Sequence, residues 1–156
     1  MKSATVFEIK EELQQLPPAQ LAELCLRLVK FKKENKELLT FLLFEANDLN
    51  GYIEMVKAET IDEFTSINSS NLYFAKKSLR KILRNINRHI RYTGSKQAEI
   101  ELLLCYCSTL KNSGISYQKS QAIVNILDQQ LKKIRKAIST LHEDLQYDYN
   151  RELEAI

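Results

Sequence analysis

The sequence predicts an all-α protein, and three observations carry the prediction. Only 3 Gly and 2 Pro punctuate 156 residues, too few turn formers for a fold of many short strands. Apolar residues recur at steps of three and four along most of the chain, the period of one helix face. Near the end, Val124, Leu127, Leu131, Ile134, Ile138, Leu141 and Leu145 alternate those steps in a sustained heptad. Apolar content of 44% with 28% charged residues fits a folded chain, and the length fits one domain.

The elements follow in order. Thr5 and Glu8 form a capping box that opens a first helix to about Leu16. Pro17 and Pro18 end it, and Pro18 suits the first turn of a second helix, where no intrahelical partner for its missing amide hydrogen exists. Leu21, Leu24, Cys25, Leu28 and Phe31 give that helix one apolar stripe. Leu38, Leu39, Leu42 and Phe44 mark a third, and Leu49, Tyr52, Ile53, Val56 and Phe64 a fourth after a break near Asn47 to Gly51.

Residues Ser66 to Asn71 read as a linker, because Ser and Asn side chains compete for backbone hydrogen bonds. Asn71 caps a fifth helix with Leu72, Leu79, Ile82, Leu83, Ile86 and Ile90 on its apolar face, closed by Gly94. Ser95 caps a sixth, carrying Ile100, Leu103, Leu104, Cys107 and Leu110, which ends at Gly114. Ser116 then opens a seventh to about Glu154, roughly 55 Å long at 1.5 Å per residue. The expectation is a single all-helical domain over 1–156, a bundle or short solenoid-like array. Helical hairpins fill 1–65, and a basic three-helix part over 71–156 ends in the long C-terminal heptad-bearing helix. Protruding from a compact bundle, its seam needs cover, either by bending back over the N-terminal hairpins or from a second chain, and a homodimer is the favoured expectation.

Charge is segregated along the chain. Residues 64–142 hold 14 cations and 3 acids, residues 1–63 hold 8 and 12, and residues 143–156 hold 1 and 5, so net charges of −4, +11 and −4 hide within a total of +3. Such segregation speaks of partners and solvation rather than of fold. On the fifth helix Lys76, Arg80, Arg84 and Arg88 form a row four residues apart, with Lys77, Lys81 and Arg91 beside it. Two readings fit. The row is a solvated face, neutralised by acids such as Glu54, Glu59, Asp62 and Glu63, or it receives an anionic partner: an acidic protein, or a nucleic acid with Tyr73, Phe74 and Tyr92 as stacking faces. Asp144, Asp148 and Glu152 make the opposite row and are candidates to relieve the repulsion among the cations, in the chain or between subunits.

Metal, cofactor and catalytic chemistry find little support. Cys105 and Cys107 lie two apart on one helix, about 200° around it, and so cannot chelate together. All three cysteines read as small buried hydrophobes, and their odd number suits a reducing compartment. His89 and His142 lack ligand partners at helical spacing, and no phosphate loop or nucleophile elbow is present. The residues from Met1 to Ile9 lack the apolar stretch of a secretory signal, and the longest apolar run, Leu38 to Phe44, is far short of a membrane span. No cofactor, no membrane and a cytoplasmic location are expected.

The strings LPPAQLAELCLRLVKFKKENKELLTFLL, YIEMVKAETIDEF, SLRKILRNI and AEIELLLCYCSTLKNSG follow one another in an order that resembles an uncharacterised bacterial all-helical domain-of-unknown-function family. The resemblance covers most of the chain. It implies a fold of helical hairpins, a Lys- and Arg-rich helix and a Leu- and Tyr-bearing helix, and assigns no catalytic residue. From the residues, the expected role is a non-catalytic protein-interaction or assembly domain that self-associates through its last helix. The alternative is sequence-independent nucleic-acid binding through the helix at 72–93.

Overall fold

The computed structural model describes residues 1–156 as eight α-helices with no strand. They are α1 (Val6–Gln14), α2 (Pro18–Phe31), α3 (Lys33–Thr40), α4 (Leu49–Thr65), α5 (Leu72–Thr93), α6 (Lys96–Asn112), α7 (Gln121–Ile138) and α8 (Glu143–Glu154). The chain divides into two compact units, Met1–Phe44 and Glu45–Ile156. The division falls inside a single π turn, Phe41–Glu45, rather than at the Ser- and Asn-rich linker the sequence suggested. That linker joins α4 to α5, which pack on each other within the second unit.

In the first unit the capping box forms as its residues dictate. The Glu8 carboxylate accepts from the Thr5 amide at 2.7 Å, and the Thr5 hydroxyl accepts from the Glu8 amide at 3.2 Å. Pro18 occupies the first turn of α2, and extended Lys32 lets α3 pack back on α2. Asn35 secures that turn by donating to the Leu28 carbonyl at 2.8 Å, one of the acceptors a helix end leaves over. The third helix begins earlier than its apolar residues suggest and passes at Phe41 into the π turn.

The second unit is built around α6, which packs against α4, α5, α7 and α8. A helix enclosed on all sides needs apolar residues all round, and Ile100, Leu102, Leu103, Leu104, Tyr106, Cys107 and Leu110 are all buried. Tyr106 is the largest of them. Its hydroxyl donates to the Leu79 carbonyl at 3.2 Å, and its ring meets Phe64 edge-on at 5.5 Å. Around α6 stand Ile53 and Val56 of α4, Leu79, Ile82 and Ile86 of α5, and Ile123, Ile134 and Ile138 of α7. Asn71 caps α5 through the Tyr73 and Phe74 amides, Gly94 closes it at φ 60°, and Ser95 caps α6. Asp48 caps α4 by accepting from the Gly51 amide at 2.9 Å, and a Cβ at Gly51 would collide with that carboxylate.

The long C-terminal helix does not form. The chain breaks after Ile138 and restarts at Glu143, because the Ser139 and Thr140 hydroxyls take the Lys136 and Ala137 carbonyls, at 2.8 and 2.7 Å, and turn the backbone. His142 then caps α8, ahead of Glu143 and Asp144 in its first turn. A 3-10 turn over Tyr117–Lys119 also delays α7 beyond Ser116. The heptad seam is therefore not a protruding surface. Leu127, Ile134 and Ile138 are buried in the unit's own core, Val124, Leu131 and Leu141 are half-buried, and only Leu145 stands 47% exposed. The cysteines differ too: Cys107 is buried, Cys105 half-buried and Cys25 exposed.

One buried group is a flaw in this core. Gln130 of α7 is 2% exposed, its amide nitrogen donates to the Ile126 carbonyl at 3.2 Å, and its amide oxygen has no partner. Burying an unsatisfied acceptor costs about 1–3 kcal/mol. Gln130→Leu is therefore expected to raise stability by about 1 kcal/mol, and a lowered unfolding midpoint in urea would show that the amide is satisfied after all.

Candidate functional site

Three features stand out, the first a polar cluster inside the second unit. Lys57 of α4 lies 2.7 Å from both Glu54 and Glu101, and Glu101 also accepts from Gln97 at 2.9 Å and from the Tyr149 hydroxyl at 3.0 Å. Three helices, α4, α6 and α8, thus meet on one carboxylate. Burial works against the ionised Glu101, but the Lys57 and Gln97 hydrogen bonds and the Lys57 charge outweigh it and hold its pKa below the ordinary value. For Lys57 burial again opposes the charge, and the two carboxylates reverse the balance and raise its pKa. Both shifts move away from neutrality, opposite to what a general acid or base requires. The cluster's chemistry is that of a fastener, holding α8 by its one buried residue, Tyr149.

Beside it lies a cavity of about 360 Å³, lined by Lys57, Glu101, Leu104, Cys105, Ser108, Glu152, Ala155 and Ile156. Burial raises the pKa of the Cys105 thiol and pushes that of Cys107 up to about 12. Neither is an activated thiolate. Sequence patterns give no hint of this cluster, since Lys57 and Glu101 are 44 residues apart and Glu101 and Tyr149 are 48 apart.

The second feature is the cationic face of α5. Lys77, Arg80, Lys81, Arg84 and Arg91 are exposed, and Lys76 and Arg88 are half-buried. Of the acids proposed to neutralise the face, Glu54 pairs with Lys57, and Glu63 accepts from Asn85 at 3.1 Å, which in turn accepts from Arg88 at 3.5 Å. Arg80, Lys81, Arg84 and Arg91 make no ion pair. Lys77 stands 4.5 Å from the centre of the Tyr73 ring, and Lys76 stands 5.4 Å from it. Tyr73 and Phe74 are exposed, whereas Tyr92 is buried. A shallow depression of about 490 Å³ runs along Lys77, Arg80, Leu83, Arg84 and Asn87. The acidic row of α8 forms no bridge to this face, because α8 packs on α6 and α7 while α5 packs on α4 and α6. Asp144 pairs only with His142, at 3.5 Å.

The third feature is the apolar surface of the first unit. No residue of α1, α2 or α3 is buried. Val6 is 85% exposed, Phe7 71% and Phe31 77%, and Leu24, Leu28 and Leu42 are also exposed. Of the apolar stripe on α2, Leu24, Cys25, Leu28 and Phe31 are exposed and Leu21 is half-buried. Between α2 and α3 lies an apolar groove of about 200 Å³, lined by Cys25, Leu28, Val29, Asn35, Leu38, Leu39 and Leu42.

No helix is long and apolar enough to cross a membrane. No family model, no curated protein and no solved structure matches this chain.

Proposed function

We propose that the protein is a non-catalytic interaction and assembly module, in which the second unit is a self-sufficient helical core and the first unit is the docking element. That no apolar residue of α1, α2 or α3 is buried, and that most are exposed, carries this reading. Burial of apolar surface is worth about 25 cal/mol per Å², so leaving such residues in water forgoes stability that a partner would supply. The surface of assembly accordingly moves from the C-terminal seam to the first unit. An apolar fluorescent dye tests it: the native chain at high dilution is expected to bind the dye, and Leu24→Asp with Leu28→Asp to abolish binding while the unfolding temperature of the core stays unchanged. A native chain that binds no dye would refute the reading.

A second reading is favoured by the unpaired cations of α5. Arg80, Lys81, Arg84 and Arg91, with the exposed Tyr73 and Phe74 rings, suit the phosphates and bases of a single-stranded nucleic acid. Retention at low salt should weaken steeply as salt rises. Arg80→Glu with Arg84→Glu should remove it, and absence of retention at low salt by the unaltered chain would eliminate this reading.

A further inference from the structure

The first unit exposes an apolar stripe on α1 and an apolar groove between α2 and α3, and we infer that α1 of one copy seats in the α2–α3 groove of a second copy, reciprocally. This rests on the reading of the first unit as a docking element and names its partner. The guest is a preformed helix, since the Thr5–Glu8 capping box fixes its first turn. Val6, Ile9 and Leu13 fall on one side of it, at steps of three and four, and all are exposed. At nine residues α1 is about 13 Å long, close to the roughly 12 Å of the eight-residue α3 that forms one wall of the groove.

Charge supports the match. Helix α1 carries Glu8, Glu11 and Glu12 against Lys10, a net −2, whereas residues 18–40 carry five cations and three acids, a net +2. The cations Lys30, Lys32, Lys33 and Lys36 cluster around the turn that closes the groove. Opposite potentials steer encounter and fix register. The groove's polar wall residue, Asn35, has its amide nitrogen engaged by the Leu28 carbonyl, so the lining offers apolar contact.

Both halves reside on one chain, so a reciprocal exchange closes an isologous dimer, whereas a head-to-tail exchange would build an open chain of larger mass. The chain's own α1 does not occupy the groove. Its connection to α2 is a turn held by hydrogen bonds from the Gln15 and Leu16 amides to Glu12 and Leu13 and from the Gln20 and Leu21 amides to the Pro17 carbonyl. With none of α1 buried, exchange with a second copy covers both guest stripe and host groove at once.

Cys25, exposed on the groove wall, supplies the test. In Ile9→Cys, mild oxidation is expected to give a covalent dimer on a non-reducing gel, with a yield that rises with concentration and vanishes when Cys25→Ser is added. Light scattering on the unaltered chain should report twice the chain mass. Glu11→Lys with Glu12→Lys should weaken that dimer by about tenfold or more, and mixing this variant with Lys33→Glu/Lys36→Glu should restore association. Cross-links confined within one chain, or a chain that stays monomeric, would overturn the inference. If the dilute chain still binds the apolar dye in that case, the docking reading stands and only the choice of partner fails; if it binds none, both fail.

Discussion

Leu103→Ala is expected to destabilise the protein by about 2–5 kcal/mol, the cost of removing a fully buried leucine and leaving a cavity. Leu103 sits 1% exposed on α6, the helix that touches every other helix of the second unit. Neighbouring helices cannot close on the vacated space without disturbing their contacts with one another, which places the loss toward the upper end. The same change at Leu28 of α2, 59% exposed, should alter stability by no more than about 0.5 kcal/mol in the dilute chain. Urea unfolding followed by circular dichroism reads both. Equal losses at the two positions would show that α2 is packed as tightly as α6.

Lys57→Met is the second large effect, expected to cost about 2–3 kcal/mol. Removing one member of a buried pair costs about 3–5 kcal/mol because the remaining charge is uncompensated. Here the side chains of Lys57 and Glu101 remain 24% and 19% exposed, so water relieves part of the penalty. Loss of Lys57 leaves Glu101 beside Glu54, held only by the Gln97 and Tyr149 hydrogen bonds. The double change Lys57→Met with Glu101→Leu should recover most of the stability, since two apolar side chains leave no stranded charge.

The same cluster sets the pH range of stability. Glu101 titrates below its ordinary 4.5 in the folded chain, so its contribution is present above that value and is lost as pH falls through the lowered pKa. Lys57 titrates above 10.5, so its contribution is complete below that value and is lost as pH rises through the raised pKa. A stability plateau between roughly pH 5 and pH 10 follows. In Glu101→Gln the acid limb should flatten; an unchanged acid limb would place the responsible carboxylate elsewhere.

How much of this was legible in the sequence depends on the range of the interaction. Thr5 with Glu8, Pro18, Asn71, Ser95 and Gly94 mark helix ends through side chains or φ angles that act within a few residues, and all six positions hold. The break after Ile138 was hidden because heptad spacing reports only which residues are apolar, and Leu141 and Leu145 keep the spacing across a turn. Its local signal was present: Ser139 and Thr140, followed by a cap and two acids at His142, Glu143 and Asp144. The stripes of α2 and α6 are both leucine-rich, yet one is exposed and the other enclosed. Periodicity identifies a face and is silent on what covers it. The meeting of Lys57, Glu101 and Tyr149 is a property of the packed helices alone.

The charge pattern changes meaning in the same way. The acids at either end of the sequence were candidates to neutralise the central cations. Instead Glu54 pairs with Lys57, α8 packs on α6 and α7, and the cations at Arg80, Lys81, Arg84 and Arg91 make no ion pair. The protein thus carries an exposed apolar surface and a cationic face on different helices, with an enclosed core supporting the second of them.

Amide hydrogen exchange on the full chain, followed from high dilution upward, tests most directly whether the first unit is a docking element rather than part of a finished core. Amides of α1 and α2 are expected to exchange orders of magnitude faster than those of α6 in the dilute chain and to gain protection as concentration rises, while α6 is unchanged. Protection of α1 and α2 equal to that of α6 at the highest dilution would contradict it.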